Sequence, residues 1–208
     1  MKLKLLLTLM LGVGLIGCFE KGATTERYST PFIEAPLDIP YITIDKSQLF
    51  YVRKKSVWTF KNQLYSGYAI SYYEDGNPKE KFGILEGRKQ NQAIEWYPDG
   101  HYKRLTNYLD GKLSGDKKVW SSDSSHILLS HLQYDKGKLH GEQKKWYPSG
   151  ELFQKLNFDT GKEEGLQQAF RKNGALFANY EAREGQVFGL KRATLCYGLS
   201  AETILSND

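Results

Sequence analysis

GKLHGEQKKWYPSG, residues Gly137 to Gly150, begins on a Gly-Lys corner and ends on a Tyr-Pro-Ser-Gly turn. Pro148 presets φ for the turn and Gly150 supplies the positive φ that closes it. The run between them leads from a glycine to an aromatic and reads as a strand. A strand bounded by two turns, followed by a second strand, is a hairpin.

The same text recurs on both sides of it. In one frame the chain carries LYSGYAISYYEDG (Leu64 to Gly76), GRKQNQAIEWYPDG (Gly87 to Gly100), GKLSGDKKVW (Gly111 to Trp120), GKEEGLQQAFRKNG (Gly161 to Gly174) and GQVFGLKRATLCYG (Gly185 to Gly198). The aromatic position runs Tyr72, Trp96, Trp120, Trp146, Phe170 and then Thr194, at spacings of 24, 24, 26, 24 and 24. An inner glycine recurs as Gly67, Gly115, Gly141, Gly165 and Gly189. Asn91 replaces it once, and Asn is the next best residue for positive φ. A fixed period of this length marks a repeat array whose units bury area against their neighbours. The expected fold is all-β: one meandering antiparallel sheet of tandem β-hairpin repeats of about 24 residues.

The third copy carries two extra residues, and Ser121 to Ser125 is where they fit, because an insertion inside a strand would turn every later side chain to the other face. With that allowance, one face of the second strands reads Tyr102, Thr106, Tyr108; Leu128, Leu132, Tyr134; Leu152, Leu156, Phe158; and Leu176, Tyr180, Ala182. The alternate positions are mixed, including Lys103, Leu105, Asn107 and Phe153, Lys155, Asn157, and suit a partner surface. The aromatic position itself reads as a packing ladder between copies. Leu49 to Phe60, LFYVRKKSVWTF, reads as a hairpin that opens the sheet.

The N-terminus has a different character. Lys2 and Lys4 precede an apolar run from Leu5 to Ile16, shorter than the roughly 20 residues of a spanning helix and shaped like a secretion signal. Leu15-Ile16-Gly17-Cys18 resembles the bacterial lipobox, which implies cleavage after residue 17 and lipidation of Cys18. Several acyl chains on one residue hold a protein on a bilayer. Residues 18–45 contain Pro31, Pro36 and Pro40 and read as a flexible tether. The expected organisation is a signal at 1–17, a lipidated N-terminus and tether at 18–45, a repeat domain at 46–198 and a C-terminal tail at 199–208. Phe19 after the cysteine, where aspartate would signal inner-membrane retention, favours an outer-membrane lipoprotein of the cell envelope facing the periplasm.

The repeats resemble the MORN repeat variant modules, a group that includes the YwqK-like antitoxin proteins. The resemblance implies hairpins side by side in one sheet, aromatics stacked from copy to copy, and a non-catalytic protein-binding scaffold with an antitoxin or immunity role against a toxin partner. An envelope structural or adhesion role, binding lipid, peptidoglycan or polysaccharide, is the alternative. Thr194 in place of the aromatic fits an atypical terminal cap.

Composition narrows the partners. Of 29 basic residues, two lie in the signal, leaving 27 against 24 acidic, which is about +3 and makes no case for nucleic acid. With Cys18 lipidated, Cys196 has no partner within the chain and reads as an inert thiol. His101, His126, His131 and His140 show no metal-ligand spacing in the sequence and read as surface residues. Glu163, Glu164 and Asp99 occupy repeated turn positions, and the recurring Gly-Lys pairs open no helix that could cradle phosphate. No catalytic residue, metal, cofactor or small-molecule substrate is expected.

Overall fold

The computed structural model describes residues 38–190. The signal, Cys18, the tether up to residue 37, Thr194, Cys196 and the tail at 199–208 lie outside the described residues. The N-terminal part forms β1 (Thr43–Asp45), one 3-10 turn (Lys46–Gln48), β2 (Phe50–Val52), β3 (Val57–Phe60) and β4 (Gln63–Leu64). Hairpins come next: β5 (Gly67–Tyr72) with β6 (Pro78–Leu85), β7 (Arg88–Trp96) with β8 (Tyr102–Leu109), and β9 (Lys112–Trp120) with β10 (Leu128–Asp135). Two more pair β12 (Gly141–Trp146) with β13 (Leu152–Asp159) and β15 (Gly165–Phe170) with β16 (Leu176–Arg183), while the two-residue strands β11 (Lys138–Leu139) and β14 (Lys162–Glu163) pair back onto β10 and β13. The last described strand is β17 (Gln186–Leu190).

From β5 to β17 the strands pair antiparallel in chain order in one sheet, with only the short β11 and β14 lying off the path, which is the all-β meander that the repeat predicts. The inner glycine is where each first strand breaks step. Gly141 takes φ +75° and Asn91 takes φ +59°, so the one substitution in this column keeps the conformation that the glycines provide. At Gly141 a Cβ would crowd only Gln133 Oε1, the movable end of a flexible side chain, so it is the positive φ that selects glycine there. The turns also repeat. Tyr97 N–H bonds to His101 O at 2.9 Å and Tyr147 N–H to Glu151 O at 2.9 Å, four residues on in each case. In the third copy Ser121 N–H reaches Ile127 O at 2.8 Å, six residues on, so the two extra residues lie in that turn.

The hairpin expected at Leu49 to Phe60 forms, but it does not open the main sheet. β2, β3 and β4 make a separate three-stranded sheet, and the main sheet's edge is β1, parallel to β5. The fold therefore starts before residue 46: Ile39 is buried, and Thr43–Asp45 is a strand. The reason is apolar area. Leu49, Trp58, Phe60 and Tyr65 pack onto Ala69, Phe82, Ile84 and Ala93, which an edge position would leave facing water. Trp58 and Phe82 rings lie 5.4 Å apart at the centre of this core.

Candidate binding surface

Register divides the main sheet into two faces. Opposed residues share a face, and Ala69↔Phe82, Ala93↔Thr106, Gln143↔Leu156 and Gln167↔Tyr180 define the inner one. Of these only Leu156 is not buried. The outer face carries a row of one residue per strand across ten strands: Ile70, Lys81, Ile94, Leu105, Lys118, His131, Lys144, Lys155, Gln168 and Asn179. At about 4.8 Å per strand, Lys118, His131, Lys144 and Lys155 form a basic stripe about 14 Å long.

Two residues further along the first strands, on the same face, lie the repeated aromatics. They do not stack copy on copy. A β-bulge at the head of each second strand pairs Trp96 with Tyr102, Trp120 with Leu128, Trp146 with Leu152 and Phe170 with Leu176. The extra residue reverses the faces of the strand beyond it. The column read as Tyr102, Thr106, Tyr108 and its equivalents is therefore split: its first members join the outer face and the rest stay inside. The result is one line that is aromatic from Trp96 through Tyr102 to Trp120, with Tyr102 and Trp120 rings 5.9 Å apart, and alternates leucine with Trp146 and Phe170 beyond them. The line is unevenly covered, since Tyr72 and Tyr102 are about half exposed while Leu176 is buried.

Hydroxyls tie neighbouring copies beside this line. Tyr73 donates to Trp96 O at 2.7 Å, Tyr97 to Trp120 O at 2.9 Å and Tyr147 to Phe170 O at 3.0 Å. The third copy has Ser121 where the tyrosine belongs, and its Oγ instead accepts from Ile127 N–H within its own turn. The recurrence of Tyr at this position was readable in the sequence as turn text, but its reach across 23 residues was not.

The charges of the stripe are partly met on the same face. Asp116 Oδ1 lies 2.9 Å from His131 Nε2, and this contact holds the Asp116 carboxyl below its ordinary value against the opposing effect of burial. Burial would raise the Glu142 carboxyl, but hydrogen bonds and ion pairs with Lys144 and Lys155 outweigh it and keep the group lowered.

Residues 139–160, from the second residue of β11 to just past β13, match the family model of the MORN repeat variant. The chain contains a MORN repeat variant. A search of curated proteins finds no match to the chain. The matched segment is the fourth hairpin with its Gly141 step, Trp146 and Tyr-Pro-Ser-Gly turn. The neighbouring hairpins share the register, the bulge and the inner positive-φ residue, so the MORN-variant geometry extends along the sheet beyond the match.

The histidines do not all behave as isolated surface residues. His131 sits in the stripe, and His140 Nδ1 is 3.2 Å from Asp159 Oδ1. His101 and His126, 25 residues apart in the chain, stack with ring centroids 3.4 Å apart and planes at 14°. Asp99 lies against both, 3.4 Å from His101 Nδ1 and 3.8 Å from His126 Nε2. The backbone N–H of His101 bonds to Asp99 and lowers its carboxyl, an effect that both imidazoles reinforce. Ligand spacing along the sequence missed this group because two neighbouring hairpin turns supply it.

Proposed function

We infer that this chain is a lipid-anchored, non-catalytic binding module that presents the outer face of its repeat sheet to a protein partner in the cell envelope. The supporting observation is the outer face itself, where an apolar line with half-exposed tyrosines runs beside the stripe of Lys118, His131, Lys144 and Lys155. Aromatic side chains flanked by charge are the composition of recognition surfaces. A basic stripe with Asp116 and Glu142 beside it selects a partner with complementary charge. The lipobox-like Leu15-Ile16-Gly17-Cys18 supports anchoring through acylated Cys18, with the sheet held off an outer membrane on the periplasmic side. The MORN-variant resemblance extends the reading to an immunity factor that neutralises a toxin.

Two variants test the two halves. Cys18→Ala is expected to leave a precursor without labelled palmitate, and equal labelling of variant and parent would refute anchoring at this residue. Lys118→Glu with Lys144→Glu is expected to keep the parent's melting temperature but lose the protein captured by affinity purification from envelope extract. Unchanged capture would place binding elsewhere. The basic stripe also favours a second reading, adhesion to an anionic envelope polymer, for which the parent alone would sediment with cell-wall fractions.

A further inference from the structure

We propose that Asp99, His101 and His126 form a binding site for a divalent transition-metal ion of the zinc class, which staples the turn of the second hairpin to that of the third. One ligand atom from each residue lies within 4.8 Å of the other two. Two imidazoles and a carboxylate are a donor set that Zn²⁺ accepts, with water completing a tetrahedron, whereas Mg²⁺ and Ca²⁺ prefer oxygen alone.

Three features set this group apart from the other histidine–carboxylate contacts of the sheet. It is the only set of three such ligands within reach of one ion among the described residues. His126 Nδ1 is buried with no hydrogen-bond partner, the one such side-chain atom among the described residues, while Nε2 of the same ring faces Asp99 at 3.8 Å. The group also depends on the irregular copy. The six-residue reach of the third turn brings in His126, which sits at φ +45°, a conformation unusual for a residue with a side chain.

Stacked rings cannot aim two in-plane lone pairs at one point, so binding requires the imidazoles to splay. Both rings lie on turns, and the His101 side chain is 55 % exposed, which leaves room for rotation about its side-chain torsions. Asp99 is placed beside both rings, so a cation would replace a poorly aligned pair of contacts with direct coordination.

The test uses the full chain, stripped with chelator and then titrated with ZnCl₂ at pH 7.5. The expected result is one ion per chain and a melting temperature raised by several degrees, as ligand binding to the folded state requires. CoCl₂ should give a visible absorption band, and MgCl₂ should do nothing. His101→Ala, on an exposed side chain, and His126→Asn, which tolerates the positive φ, should each abolish the zinc shift, whereas His140→Ala should keep it. The proposal is overturned if zinc fails to shift the parent, or if the shift persists in both His101→Ala and His126→Asn. The second result would assign binding to another ligand such as Cys196.

Discussion

The first hairpins and the last ones solve the same problem differently. In the β5–β8 region a second, small sheet covers the inner face, and the position two residues after the inner glycine or Asn91 is alanine, Ala69 and Ala93, beneath Phe82, Trp58 and Tyr65. In the β12–β16 region no second sheet is present among the described residues, and the equivalent positions are Gln143 and Gln167, both buried. The Gln167 amide accepts from Asn157 N–H at 3.1 Å and donates to Asn157 O at 2.7 Å and Gly165 O at 3.2 Å. Gln143 makes the same set with Gln133 and Gly141. A covered face is held by apolar burial. Where the described residues supply no second sheet, a buried side-chain amide reaches back to the backbone beside the glycine step and adds partners there.

That contrast breaks most sharply at the core. Phe82→Ala should cost about 3–5 kcal/mol, the range for a fully buried aromatic, and lower the urea midpoint accordingly. Leu156→Ala, its counterpart in the open region, should cost about half as much, because Leu156 is only half-buried. Equal losses would mean that the small sheet adds nothing to the first hairpins.

Removing the amide is next in size. Gln167→Ala removes the partner of Asn157 N–H and Gly165 O, while Asn157 O keeps its bond from Glu164 N–H at 3.0 Å; at about 1–3 kcal/mol for a buried group that water cannot reach, a loss of about 2–3 kcal/mol is expected by thermal and chemical melting. Gln90→Ala, which forfeits a single bond to Asp110 N–H, should lose less. If the two cost the same, the amide acts as filler and not as a clamp on the glycine step.

A smaller effect falls on the outer line. As a buried packing ladder, Trp146 would cost about 3–5 kcal/mol on truncation. Because strand alternation puts it on the outer face, two residues beyond Lys144, Trp146→Ala should lose only about 2 kcal/mol while reducing partner capture. A full core-sized loss would return the aromatics to a purely structural role.

The smallest concerns Tyr180, whose hydroxyl donates to Glu163 Oε2 at 3.0 Å in the open region. Burial, helped by the Glu163 carboxylate, pushes its phenol up to about 12. A group raised in the fold contributes stability that is complete below the unfolded value near 10 and is lost as pH climbs through 12. The parent should therefore lose stability over this window in alkaline melts, and Tyr180→Phe should flatten that part of the curve at a cost of about 1 kcal/mol at pH 7.

Much of the array was legible in the text because its causes are local. The 24-residue spacing, the Tyr-Pro-Asp-Gly and Tyr-Pro-Ser-Gly turns and the positive φ at Gly141 and Asn91 follow from what each residue's backbone permits, and the placing of the two extra residues at Ser121 to Ser125 follows from strand register. Strand alternation was legible only up to the first bulge. A bulge is a property of the pairing, and it moved Tyr102, Leu128, Leu152 and Leu176 to the face opposite the one that period-two counting gives them.

Other features depend on which surfaces meet. The apolar content of Leu49 to Phe60 announces a hairpin, but stacking it over Phe82, with β1 placed on the edge, is a choice between two ways of burying the same area. Likewise, nothing within ten residues of His101 points to His126. Backbone preferences act along the chain over a few residues, and they settle where it turns. Which face is covered, and which turns touch, depend on contacts that form only once the strands have paired.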